Sequence, residues 1–388
     1  MPLHHFTKTL SKIFRFHAWL GTLLFIGLGS VPSWAQALKG VGFSVTHHAG
    51  QIIKHTEKLT FELPDISQGT ELSFTFRTYG RQDWEAWRKY PILGLSLHHF
   101  SLGTDELGHA YGFYPFIDIP LWGGKGWKSF FQVGSGIAWL TRPYDRISNP
   151  NQNAIGSRVN NSAAIRIHGD FTLSPSWLLT GGFSFTHYSN GKAQIPNFGI
   201  NIVGGSLGVQ WTPSPLQAND YREATASKAR LKKWGFSTYG AMAYREYFTD
   251  GGPRFPVYIG SAALLYQHNR INRFCAGLEY EYQEGLAVWS KLSWQDESEE
   301  ERFKSASRVM VFIGEEFLYG PFAILLQAGT YWPNIGILIP NKVYTKLGMR
   351  YYLPKLPGSG ARFFGGVYLK SHMITAEHIS MGLGVTFD

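Results

Sequence analysis

The stretch "LLTGGFSFTHYSNG", residues 178–191, holds two reactive groups where an apolar pattern asks for Leu or Phe. In a strand, side chains two apart share a face. Phe183, Phe185, His187 and Ser189 therefore point one way, and Thr180, Gly182, Ser184, Thr186, Tyr188 and Asn190 the other. An imidazole two residues before a hydroxyl on one face can accept the serine proton, which is the nucleophile–base pairing of acyl hydrolases. A third group is needed to orient the imidazole. The next stretch, "GINIVGGSLGVQW" (199–211), puts Asn201 in register with Val203, Leu207, Val209 and Trp211, again on the apolar face. Its amide oxygen can accept from His187 Nδ1–H and turn the Nε2 lone pair toward Ser189. The Asn190 amide, reaching round from the strand end, and a backbone N–H near Gly191 are the candidate oxyanion donors.

The elements that must position these groups read as strands. "SFFQVGSGIAWL" (129–140) sets Phe131, Val133, Ile137 and Trp139 on one face, opposite Gln132, Gly134, Gly136 and Ala138. "PFAILLQAGTYW" (321–332) sets Phe322, Ile324, Leu326 and Ala328 opposite Gln327 and Gly329. "ISMGLGVTFD" (379–388) alternates Ile379, Met381, Leu383, Val385 and Phe387 with Ser380, Gly382, Gly384 and Thr386. A soluble β-sandwich would alternate too. Three features favour a membrane barrel: a second face rich in Gly, Ser, Thr and Gln, aromatics near strand ends ("FYPFIDIPLW", "MRYYLP"), and a penultimate aromatic, Phe387. A sheet that spans a bilayer must close, because hydrocarbon satisfies no open edge. The expected fold is an all-β, transmembrane antiparallel β-barrel of roughly twelve to sixteen strands.

Composition agrees. Gly 44, Trp 13, Tyr 20 and Phe 28 are high, and charged residues make up only 16%. A single cysteine, Cys275, excludes an internal disulfide framework. A basic start (Lys8, Lys12, Arg15), an apolar run (19–31) and Ala35-Gln36-Ala37 predict a signal peptide over 1–37. Its removal takes three cations from the formal charge of +9, leaving about +6. The expected division is 1–37 signal, 38–213 barrel part with the site, 214–233 polar linker or long turn, and 234–388 further barrel strands. Whether these strands form one barrel or two units stays open. The linker can hold a short helix, and "QDESEEERFK" (295–304) reads as a solvated loop.

If 176–190 is the seventh strand and the N-terminus is periplasmic, the His-Ser pair sits at an outer end, facing lipid. An unpaired polar group there costs about 2–7 kcal/mol. A hydrolase on the outside of a barrel makes sense when its substrate is the membrane lipid.

"THYSNGKAQIPNFGIN" (186–201) resembles the H-x-S-N…P-N-x-G-I motif of the outer-membrane lipid A 3-O-deacylase (acyloxyacyl hydrolase) family, and "NPNQNAIGS" (149–157) resembles its longer members. The resemblance covers about residues 40–213 and implies a serine esterase that removes an ester-linked acyl chain from lipid A, in the bacterial outer membrane. It implies His187 as base, Ser189 as nucleophile and Asn190 in the oxyanion hole. Short members carry glutamate where this chain has Asn201. A Ser-His-Asn set also resembles outer-membrane phospholipase A, and calcium enters only with that alternative; otherwise no cofactor or metal is expected. Lys192 at the rim, for lipid A phosphates, and Asn197 are the expected substrate contacts. Lipid A and the bilayer are the expected partners, with no nucleic acid. A porin or structural barrel is the non-enzymatic alternative.

Other pairs compete poorly. His99-Phe100-Ser101 repeats H-x-S but lacks the following Asn-Gly and an Asn on the next strand. Ser371 and His372 are adjacent and face opposite ways, and His47-His48 has no carboxylate or cysteine at ligand spacing. No H-E-x-x-H, phosphate loop or cysteine ligand set is present. The "NPNQNAIGSRVNNS" segment (149–162) reads first as a loop bonded to itself.

Overall fold

Among the described residues, the alternating pattern builds sixteen antiparallel strands that close on themselves twice. The computed structural model describes residues 38–225, 233–293, 297–332, 342–373 and 375–387. The expected signal peptide (1–37) and Asp388 lie outside the described residues. Strands β1 (Val41–Ile52) to β8 (Ile200–Trp211) form one barrel, sealed where Phe43 faces Trp211 and Ile52 faces Ile202. Strands β9 (Trp234–Glu246) to β16 (Thr375–Phe387) form the other, sealed where Ser380 faces Ala243 and Phe387 faces Phe236. The question of one barrel or two units is thereby answered, and no soluble sandwich is present. No helix among the described residues is long and apolar enough to cross a membrane; the strands make the crossing, and the protein is an outer-membrane β-barrel protein.

Outward positions carry exposed Leu97, Ile137, Phe183, Leu207, Leu264, Ile313 and Leu383, which a bilayer would cover. Inward positions hold more charge than the Gly/Ser/Thr pattern suggested. Eight strands leave a bore just wide enough for side chains, and these side chains are paired ions. In the first barrel Arg166 Nη1 donates to Glu71 at 2.7 Å, and Arg77 meets Asp170 at 3.0 Å. In the second, Lys346 meets Glu279 at 2.5 Å, Lys370 meets Glu281 at 2.8 Å, and Arg308 meets Glu377 at 2.6 Å. Each lone buried ion would be costly, so the lumen is made of mutual compensation. Plugged lumens of this kind do not suit a porin.

Two expectations about connections change. Within 295–304, residues from Glu299 onward belong to a helix, Glu299–Ala306, while Gln295 and Asp296 lie outside the described residues. Ser298 and Glu301 close a reciprocal capping box at its start, the S-x-x-E signature of a helix N-terminus. A second helix, Glu284–Ser293, precedes it. Among the described residues of the linker one turn of 3-10 helix forms, Ala218–Asp220, and residues 226–232 lie outside them.

Gly40–Asp388 is one compact unit containing both barrels. At one end, the turn before β3 (Ile92–Ser101) sends Arg88 to the second barrel. It donates to Ile271 O at 2.6 Å, Asn272 Oδ1 at 2.7 Å and Leu318 O at 3.1 Å, and covers the Tyr319 ring. Successive strands reverse direction, so the loop between β7 (Trp177–Ser189) and β8 lies at the opposite end. That loop also touches the second barrel.

Candidate active site

Strand β7 is the seventh strand, as the count expected, and its face assignment holds. Tyr188 is fully buried and its hydroxyl meets His98 Nε2 in the lumen at 3.0 Å. His187 and Ser189, on either side of it, therefore point outward. The register sets His187 directly opposite Asn201 on β8.

Ser189 Oγ lies 2.9 Å from His187 Nε2, and His187 Nδ1 lies 2.6 Å from Asn201 Oδ1. The row continues through a residue that strand reasoning missed. Asn201 Nδ2 lies 3.0 Å from His55 Nδ1, and His55 Nε2 lies 2.9 Å from the Phe198 carbonyl oxygen. That carbonyl can only accept and lies nearer to His55 than the Ile53 carbonyl oxygen, 3.4 Å from Nδ1, so it sets the direction of the row. His55 must donate from Nε2, so in its neutral form Nδ1 accepts. Asn201 then gives its NH₂ to His55 and its oxygen to His187. His187 donates from Nδ1 and keeps its Nε2 lone pair for the Ser189 hydroxyl. His55 sits in the β1–β2 loop, outside the strand pattern, and no periodicity marks it.

Backbone close to the imidazole is glycine by necessity. Gly199 has φ +87, and a Cβ there would lie 2.8 Å from His187 Cε1. Ser189 is only 5% exposed although it occupies an outward position. Beside it on β6 (Val159–Ser174), Asn161 pairs in register with Ser189 and donates to Ser135 Oγ at 2.9 Å. A polar track thus crosses the outer face at this end.

The turn after Ser189 is tightly held. Asn190 N–H donates to Asn197 Oδ1 at 2.9 Å, and the Asn190 amide nitrogen donates to Ser157 Oγ at 2.8 Å. Asn190 is buried, and among the described residues only one of its two amide hydrogens has an acceptor. Gly191 and Lys192 are both left-handed, at φ +61. No described group accepts from the Gly191 N–H, which follows Ser189 by two residues.

Two expected substrate contacts are placed differently. Asn197 spends its oxygen on the loop rather than facing outward. Lys192 is half-buried against the second barrel instead of standing free at the rim; burial, with Arg245 nearby, holds its pKa below the usual lysine value. The rivals fall away. His99 Nε2 pairs with His109 Nδ1 at 3.1 Å, and no bond joins it to Ser101 among the described residues. His48 and His372 face the lumens, beside Glu71 and Glu377. Glu281, Glu377 and His378 are close enough for a metal, but Lys370 already lies between the two carboxylates. The 149–157 loop does bond to itself, Gln152 Oε1 accepting from the Ala154 and Ile155 amides, and through Ser157 it also reaches Asn190.

Comparison with known proteins follows this layout. Residues 68–210 match the family described as lipid A 3-O-deacylase (PagL), and residues 233–388 match the acyloxyacyl hydrolase C-terminal domain. Among solved structures, the outer-membrane enzyme PagL is 18% identical, aligning 44% of this chain with 99% of its own at a TM-score of 0.31. CdiB from Acinetobacter baumannii is 11% identical over 90% of this chain and 60% of its own, TM-score 0.19. The Pseudomonas putida toluene transporter TodX is 10% identical over 89% and 88%, TM-score 0.17. No curated protein matches in sequence. The two family matches together span most of the chain, one on each barrel, and the chain belongs to the lipid A 3-O-deacylase (acyloxyacyl hydrolase) family of outer-membrane ester hydrolases.

Proposed function

We propose that this protein removes an ester-linked acyl chain from lipid A with Ser189 as nucleophile, His187 as base and Asn201 as orienting group. The unbroken row from Ser189 to the Phe198 carbonyl carries the reading, because each proton in it is directed toward activating Ser189. Ser189 Oγ attacks the ester carbonyl carbon while its proton passes to His187 Nε2. The Gly191 N–H and the spare Asn190 amide hydrogen hold the oxyanion. Collapse breaks the bond to the sugar oxygen, which takes the proton back from Nε2. Water then attacks the acyl-serine with the same base, and the fatty acid leaves. No step needs a metal. Asn197 and Lys192 shape the oxyanion turn in this reading and do not hold the headgroup.

The outward position of Ser189 suits a substrate that arrives from the bilayer plane. The test is mass spectrometry of lipid A and glycerophospholipids after incubation with folded wild type or Ser189→Ala, with calcium or with chelator. Loss of one ester-linked chain from lipid A by wild type alone, in both conditions, is the expected result. Calcium-dependent lysophospholipid with intact lipid A would replace the reading with a phospholipase.

A further inference from the structure

The second barrel contributes no group to the row from Ser189 to Phe198, yet it touches the turn that follows Ser189. Strand β9 ends in "GAMAYRE", where Gly240, Met242, Tyr244 and Glu246 share the outward register. A carboxylate in that register would face hydrocarbon, at a cost of several kcal/mol. Glu246 is instead 2% exposed, covered by the first barrel. Its Oε2 accepts from Ile195 N–H at 2.6 Å, and its own N–H donates to Lys192 O at 3.1 Å. One residue thus grips the turn at two points, on either side of Ala193 and Gln194. Two further contacts reinforce it. Arg254, paired with Glu246 in register, donates to Gln194 Oε1 at 2.6 Å. Ile379 of β16 backs Gly191 so closely that a Cβ there would lie 2.6 Å from Ile379 Cγ1 and 2.9 Å from its nitrogen.

We infer that the C-terminal barrel is a brace for the oxyanion turn, with Glu246 and Ile379 as positioning residues. The inference rests on the proposed roles of Ser189 and Gly191. The gripped segment has two consecutive left-handed residues, one of them the non-glycine Lys192, a conformation that persists only where its surroundings hold it. With the grip, the Gly191 N–H stays aimed beside Ser189. Without it the turn can relax, and a misplacement of about 1 Å at such a donor costs about 100-fold in rate.

The experiment uses the full-length folded protein and reads three quantities: kcat and KM on lipid A, and the rate at which a fluorophosphonate labels Ser189. Glu246→Ala is expected to lower kcat and labelling together by about ten- to a hundredfold, with KM changed less than about twofold. Glu246→Gln keeps an oxygen for Ile195 N–H and is expected to restore both. Arg88→Ala removes contacts between the barrels at the opposite end and is expected to leave both unchanged. Where Glu246→Ala does not fold, Ile379→Ala and Gln194→Ala loosen the same turn and are expected to shift kcat and labelling in the same direction. Wild-type kcat and labelling in Glu246→Ala, or an equal loss in Arg88→Ala, would overturn the brace. Ser189→Ala separates the two levels. If it stays active, the assignment of Ser189 fails and the brace with it; if it is dead while Glu246→Ala is normal, only the brace fails.

Discussion

At the scale of single residues, the proposed orienting group is an amide, Asn201, and an amide has a wrong end. A carboxylate offers His187 an acceptor from either oxygen, whereas Asn201 can turn its NH₂ toward His187 and reverse the imidazole tautomer. His55 removes that freedom by accepting from the NH₂ at 3.0 Å. His55→Ala should therefore lower kcat about tenfold, the worth of about one hydrogen bond, with KM unchanged. In an Asn201→Asp background the same His55→Ala change should cost less than about twofold, because a carboxylate has no wrong end. Steady-state kinetics on the four proteins check this, and an equal loss in both backgrounds would mean that His55 only holds its loop. Asn201→Ala should cost far more, on the order of a thousandfold in kcat, since it frees the imidazole itself. His187, Ser189 and Asn201 were readable from the sequence because polar groups broke an apolar alternation. His55 was not, because a loop residue has no alternation to break. Glu246 broke one as plainly as His187 did, in "GAMAYRE", but nothing local says which partner would cover it.

At the scale of elements, strand and loop have divided the labour. The β7–β8 register sets His187 against Asn201, and the loop supplies the Phe198 carbonyl and the turn after Ser189 that is proposed to hold the oxyanion. Gly199 is where the two meet. At φ +87, and with His187 Cε1 2.8 Å from where a Cβ would stand, Gly199→Ala should displace the ring. The expected result is a fall in kcat of about tenfold or more, with a small drop in unfolding midpoint from the left-handed strain; unchanged kcat would show that the ring tolerates the intrusion. The strands were legible because faces in "SFFQVGSGIAWL" and "ISMGLGVTFD" alternate strictly. The helix over Glu299–Ala306 was missed because its run of glutamates looks like a solvated loop, although Ser298-x-x-Glu301 marks its start. Lys192 was misplaced for a different reason: a lysine after a strand end looks like a free rim cation until the second barrel is set against it.

At the scale of the whole molecule, the sequence showed strands that must close but not which strand meets which. β1 finds β8 across some 150 residues, and any even count of similar strands would alternate alike. The lumen charges were hidden for a related reason: Glu279 and Lys346 compensate each other only once β11 (Asn272–Gln283) and β14 (Val343–Tyr352) face each other across the bore. Lys346→Met should destabilise the second barrel by about 3–5 kcal/mol by stranding Glu279. The double change Lys346→Met, Glu279→Leu should recover most of that. Denaturant titration in detergent reads both, and a double variant no better than the single would refute the compensation.

The order in which the chain is made gives the two closures a meaning in time. The first barrel can seal as soon as β8 is present, with Ser189, His187, Asn201 and His55 all in hand. Ile379 arrives only with β16, eight strands after β8. A half-made chain would thus own every group of the proposed row and lack the support behind the turn that follows Ser189. If the brace acts as inferred, an enzyme that attacks its own membrane reaches full activity only when β16 is in place.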